Sequence, residues 1–183
     1  MNRYLQLFFS LLKMVSLPLL NFSTLFLGIK FYGKENWGEF ISISIWIYFI
    51  AFIAKWSGQN YLIKEFSKNT STYLNIFYSN ILERSLLLVP SIILFFVFPF
   101  QVALSAIILI VLLFIYNSYE ALIIYNQKFQ LQFLTEIIGF LLIVLGFIIF
   151  PGFNISNIFF LFCFSYLVKT CIFFFTFSEY VLV

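Results

Sequence analysis

Histidine is absent from this chain, and so is aspartate; all seven acids are glutamate. Ser–His–Asp triads, histidine-based zinc sites and paired-aspartate metal sites are therefore excluded by residue type alone. Cysteine is scarce too. Cys163 and Cys171 lie eight positions apart in one apolar stretch, about 12 Å along a helix at the usual rise, too far for a mutual disulfide. Charged residues make up only 9% of the chain, where a soluble domain carries about a quarter. A net charge of +3 is too small to imply nucleic acid as a partner. No catalytic residue, metal or cofactor is expected, and the chain reads as a non-enzyme.

What is present is apolar: 63% of 183 residues are hydrophobic. Such a chain cannot cover itself with a polar surface in water. It can be stable where lipid is the solvent and outward faces are also apolar. At roughly 20 residues per crossing plus a short loop, the length holds about six spans. Residues 1–183 are thus expected to form a single all-α transmembrane domain. Its spans are placed near 4–29, 39–56, 74–98, 102–125, 131–150 and 157–177. The first is too long for a signal peptide and lacks a small-residue cleavage site, so it reads as an uncleaved span. Polar turns are expected at 30–38, 57–72, 99–101, 126–130 and 151–156, with a kink at Pro90.

Basic residues give an orientation. With the N-terminus cytoplasmic, Arg3, Lys55, Lys64, Lys68, Arg84 and Lys128 fall inside, against Lys30 and Lys34 outside. An even number of spans then places both termini in the cytoplasm. Tyr4, Tyr32, Trp37, Trp56 and Tyr125 lie near span ends, as interfacial anchors do.

Four charges fall inside spans: Lys13, Glu120, Glu136 and Lys169. Each costs at least about 2.5–3.5 kcal/mol at the bilayer centre on insertion scales. In the N-in topology they lie roughly 14, 8, 8 and 12 Å from the cytoplasmic ends of their spans, all in one half of the membrane. One reading is that the carboxylates reach the interface and the lysines snorkel to it. The other is a water-accessible cavity open to the cytoplasm. Its cations would meet an anionic substrate, and its carboxylates would pair with them or hold a coupling cation. Asn21, Ser23, Ser42, Ser44, Asn117 and Ser118 are candidate lining residues, though such residues also serve as helix–helix contacts.

The segment from the first span to the loop after the second carries a pattern. Lys30 ends span one, Gly33 follows three positions on, and Trp37-Gly38 close the turn; after span two come Gly58 and the pair Lys64-Glu65. This resembles the polysaccharide (O-antigen) flippases of the multidrug/oligosaccharidyl-lipid/polysaccharide superfamily. The resemblance covers about the first 70 residues by motif and thereafter span count alone. It implies a six-helix bundle like the N-terminal half of a MATE-like transporter, in a bacterial cytoplasmic membrane. It also implies a cargo of polyprenyl-pyrophosphate oligosaccharide moved by alternating access, with Lys13 and then Lys169 as candidate anion contacts. Glu120 and Glu136 are candidates for ion pairing or a coupling cation. Because the family's chains are usually about twice as long, a truncated half is expected, with a second six-helix half or a homodimer as the other possibilities. A non-transporting scaffold and half of a multidrug exporter remain alternatives. An acyltransferase or polymerase of the same pathway is disfavoured by the missing His, Asp and long outer loop.

Overall fold

The computed structural model describes residues 3–55, 58–150 and 154–178, and every regular element among them is helical. In hydrocarbon, a helix satisfies its own backbone polar groups without a neighbour. The order is α1 (Arg3–Lys55), α2 (Gly58–Lys68), α3 (Tyr73–Ser85), a 3-10 stretch (Leu86–Ile93), α4 (Leu94–Val97), α5 (Phe100–Tyr125), α6 (Phe129–Ile149) and α7 (Ile155–Ser178). Among the described residues, five helical stretches are long and apolar enough to cross a membrane: Gln6–Lys68, Tyr73–Val97, Phe100–Tyr125, Phe129–Ile149 and Ile155–Phe177. Large apolar side chains such as Leu7, Phe22, Phe52, Phe96 and Phe175 point outward. This is an all-α, multi-pass membrane protein.

The expected turn at 30–38 shrinks to one residue. Helical geometry breaks only at Gly33, with φ 80° and ψ 163°, a region open essentially to glycine. Gly38 has no positive φ and sits inside the helix. One such residue suffices because the next helix starts at once, and the Asn36 amide donates to the Tyr32 carbonyl at 3.2 Å across the break. The two arms of α1, residues 3–32 and 34–55, form a hairpin. Lys13 and Lys55 both reach the Glu120 carboxylate, at 3.3 and 2.6 Å; in one straight helix they would stand about 63 Å apart.

Two more expectations change. The 57–72 stretch is not a loop: its first part is α2, which buries Gly58, Leu62 and Phe66 at four-residue spacing and exposes Lys64, Ser67 and Lys68. That spacing is the signature of an amphipathic helix lying along a bundle. The third span does not simply kink at Pro90. It tightens into eight residues of 3-10 helix around it, because proline offers no N–H and crowds the carbonyl four residues back. Residues 151–153 of the expected 151–156 turn, and Trp56, lie outside the described residues, and Ile155 and Ser156 already belong to α7.

Tyr32 and Trp37 are not interfacial anchors but core residues, 4% and 3% exposed. Trp37 is seated on Gly28, where any Cβ would collide with the indole. The Tyr32 hydroxyl donates to the Phe150 carbonyl at 3.1 Å, tying the hairpin tip to the end of α6. Two apolar clusters stack along α5. One gathers Trp37, Phe40, Ile47, Leu109, Phe147 and Phe159 at the Gly33 end. The other gathers Leu62, Phe66, Phe77, Leu122 and Phe177 at the α2 end. Tyr166 packs against both.

Candidate functional site

The four intramembrane charges fall into two centres near the junction of these clusters. At the first, Glu120 of α5 holds Lys13 from arm one and Lys55 from arm two. Its side chains are partly exposed, at 20% for Lys13, 35% for Lys55 and 22% for Glu120. Two cations on one carboxylate leave this centre with a formal charge of +1.

At the second centre, Lys169 of α7 meets Glu136 of α6 at 2.9 Å, and both are buried or nearly so. The Tyr116 hydroxyl of α5 donates to the other Glu136 oxygen at 2.6 Å. The ammonium also lies 4.1 Å from the Tyr166 ring centroid and 4.9 Å from that of Tyr116, within the reach of cation–π attraction. Room for the lysine stem comes from Gly139, where a Cβ would strike it. The Ser165 hydroxyl donates to the Gly139 carbonyl at 3.0 Å and fixes the same close approach of α6 and α7.

A cavity of about 400 Å³ opens between the arms of α1 and helices α5, α6 and α7. Leu17, Asn21 and Thr24 of arm one form one wall, and Trp37, Phe40, Ser44 and Tyr48 of arm two another. Asn117, Glu136, Phe140, Phe162 and Lys169 complete it. Lys169 and Glu136 therefore face the cavity, whereas Lys13 and Glu120 are not among its lining. Of the polar residues expected there, Asn21, Ser44 and Asn117 line it. Ser23, Ser42 and Ser118 instead donate to carbonyls one turn back, at 2.8, 2.9 and 2.8 Å.

The motif residues divide between the two ends of the bundle. Lys30 and Gly38 are exposed near the hairpin tip, Gly33 makes the reversal and Trp37 reaches the cavity. At the other end the Arg84 guanidinium donates to the Ala54 carbonyl, closing arm two. Gly58 is buried beneath that guanidinium, which any Cβ there would overlap. Lys64 is exposed on α2, and Glu65 pairs with Lys68 at 2.8 Å.

Sequence reasoning missed Lys55, Tyr116, Tyr166 and Gly139. A signal existed for one of them: Tyr166 precedes Lys169 by three positions, a spacing that shares a helix face, whereas Tyr116 meets Glu136, twenty positions away on another helix. Nothing local marks Lys55 or Gly139, whose roles depend on partners far along the chain. No protein-family model, curated protein or solved structure matches this chain.

Proposed function

We propose that the chain is a membrane transport unit, a flippase half that helps move a lipid-linked oligosaccharide across a bacterial cytoplasmic membrane. The observation that carries this reading is a cavity of about 400 Å³ enclosed by apolar helices, with an ion pair in its wall. A purely structural bundle has no need of a chamber with charged side chains in its wall. Each arm of α1 is long enough to cross a bilayer, about 45 and 33 Å at helical rise, which supports six crossings. The excess of basic residues at the α2 end supports a cytoplasmic position for both termini. The net-positive centre at Lys13, Lys55 and Glu120 is the natural contact for the cargo's pyrophosphate. A second six-helix unit, or a second copy of this chain, would form the opposite wall.

The test is a charge swap in cells that depend on the chain. Lys13→Glu, expressed at the parent level, is expected to abolish display of surface polysaccharide and leave the lipid-linked precursor in the inner leaflet. Normal polysaccharide display with Lys13→Glu would sink the anion contact. Normal display after deletion of the gene would sink the flippase reading itself.

A further inference from the structure

Four of the apolar helical stretches share one boundary. Two begin there, at Tyr73 and Phe129, and two end there, at Tyr125 and Phe177. All four of these rings pack into the cluster that holds Leu62 and Phe66 of α2. The Phe66 ring lies 5.7 and 5.4 Å from those of Tyr73 and Tyr125. Crossing helices end at the polar edge of the bilayer, so α2 lies at that edge. Its eleven residues reach about 16 Å, too short to cross. An amphipathic helix in that position meets the bilayer surface with its outward side.

That outward side carries a stripe. Tyr61, Lys64 and Lys68 follow one another at three and four positions, the spacing of neighbours on one helix face, and all three are exposed. Lys68 shares Glu65 at 2.8 Å. Among the described residues Lys64 meets no carboxylate. The charge around the stripe is positive as well. At this end of the bundle Lys13, Lys55, Lys64, Lys68, Arg84 and Lys128 stand against Glu65, Glu83 and Glu120, whereas near Gly33 two lysines, Lys30 and Lys34, face two acids, Glu35 and Glu39.

We propose that the Tyr61–Lys64–Lys68 stripe binds the phosphodiester headgroup of anionic phospholipids. The two ammonium groups meet phosphate oxygens about one helical turn apart, and the Tyr61 ring lies against the glycerol end of the acyl chains, as interfacial tyrosines do. A zwitterionic headgroup fits less well. Its own ammonium answers its phosphate, and the carboxylate beside the stripe, Glu65, is already held by Lys68. A free phosphate would find the lysines but leave the exposed ring in water. The proposal needs only that the chain spans a membrane and does not depend on what the cavity carries.

The experiment uses the full chain in bilayers of equal phosphatidylglycerol and phosphatidylcholine. A bimane fluorophore sits on Ser67→Cys, exposed between Lys64 and Lys68, with Cys163→Ala and Cys171→Ala to keep it there alone. A nitroxide near the glycerol end of the acyl chain, carried by one lipid and then by the other, quenches the fluorophore in proportion to that lipid's share of the local surface. Labelled phosphatidylglycerol is expected to quench at least about threefold more than labelled phosphatidylcholine, a scale that two lysines at an anionic surface supply. Lys64→Gln with Lys68→Gln should bring the ratio close to one, and Lys64→Arg with Lys68→Arg should keep it. Lys30→Gln with Lys34→Gln, at the other end of the bundle, should leave it unchanged. High salt should lower it, because exposed charges are screened. Equal quenching by the two lipids in the parent overturns the proposal. So does a preference that survives Lys64→Gln with Lys68→Gln, or one lost as fully in Lys30→Gln with Lys34→Gln, which would trace it to net charge. Quenching by neither lipid also overturns it and would mean that a second copy or a soluble protein covers the stripe. None of these outcomes touches the flippase reading, which rests on the cavity.

Discussion

Glu136 shares its carboxylate with one lysine and one tyrosine hydroxyl, whereas Glu120 shares its own with two lysines. The Glu136 centre is neutral, flanked by aromatic rings, and built from α5, α6 and α7. The Glu120 centre is net positive, more open to solvent, and joins α5 to the two arms of α1. Arm one buries nothing fully between Gln6 and Leu27, so the Lys13 contact is a polar tie on an otherwise loosely held helix. The same two residue types thus do different work. A one-to-one pair in a nearly buried, ring-lined cavity wall fixes helices against each other. A two-to-one cluster at a wetter seam keeps a charge to spare.

The sharpest way to break this contrast is to remove one partner of the more buried pair. Lys169→Met leaves the Glu136 carboxylate without its cation beside the packed core. The expected loss is about 3–5 kcal/mol, the usual cost of orphaning a buried charge. Thermal unfolding in detergent micelles would read it. Adding Glu136→Gln should restore more than half of that loss, because no uncompensated charge then remains. A single Lys169→Met variant as stable as the parent would mean that the pair does not hold the bundle.

Gly139→Ala attacks the same centre from beneath. The new methyl would meet the Lys169 stem and lie 3.0 Å from the Ser165 Oγ. Overpacking of this kind costs about 1–3 kcal/mol, and here it should also prise α6 from α7. Proteolysis of α6–α7 in the micelle should accelerate along with the fall in melting temperature. If Gly139→Ala melts like the parent, α6 and α7 have slack that the close approach does not suggest.

A comparison of two glycines sharpens the other centre, because Lys13 and Lys55 meet on Glu120 only if α1 reverses. Gly33→Ala meets no atom within 4 Å but is held at φ 80°, so its penalty is purely one of backbone. It should cost about 1–3 kcal/mol. Gly38→Ala, in open space inside the helix, should cost nothing and add up to about 1 kcal/mol. Parallel melts of the two variants decide the matter. Equal effects would place the reversal elsewhere than Gly33.

The residues of this hairpin also show how far the sequence could be read. Composition made the helices and their membrane setting legible, since 63% hydrophobic residues and 9% charge leave few other solutions. The four charges were visible because each is alone in an apolar run. Their partners were not, since Lys13 and Glu120 are 107 positions apart and no local pattern encodes such a meeting. The 30–38 segment misled because Lys34, Glu35 and Asn36 look like a loop, yet a helix tip in water tolerates them and one glycine makes the turn. Trp37 misled in the same way. Its place near a span end suggested a lipid anchor, and only the notch at Gly28, nine residues earlier, shows that it points inward.

The smallest expected effect tests the comparison most closely. At Glu120 either lysine can be lost while the other still compensates the carboxylate. Lys13→Met and Lys55→Met should therefore each cost at most about 1 kcal/mol, the range of partly exposed pairs. Losing both leaves Glu120 uncompensated, so the double variant should fall by clearly more than the two singles together. A double-mutant cycle on melts in micelles measures that excess. Additive losses would mean that the two lysines do not share one carboxylate, and the spare positive charge at this seam would disappear with them. Of the two singles, Lys13→Met should also loosen arm one. Cysteines placed at Leu17 and Leu20, on the cavity side of that arm, should then label faster in Lys13→Met than in Lys55→Met, because arm one has few other holds and arm two is packed along its length.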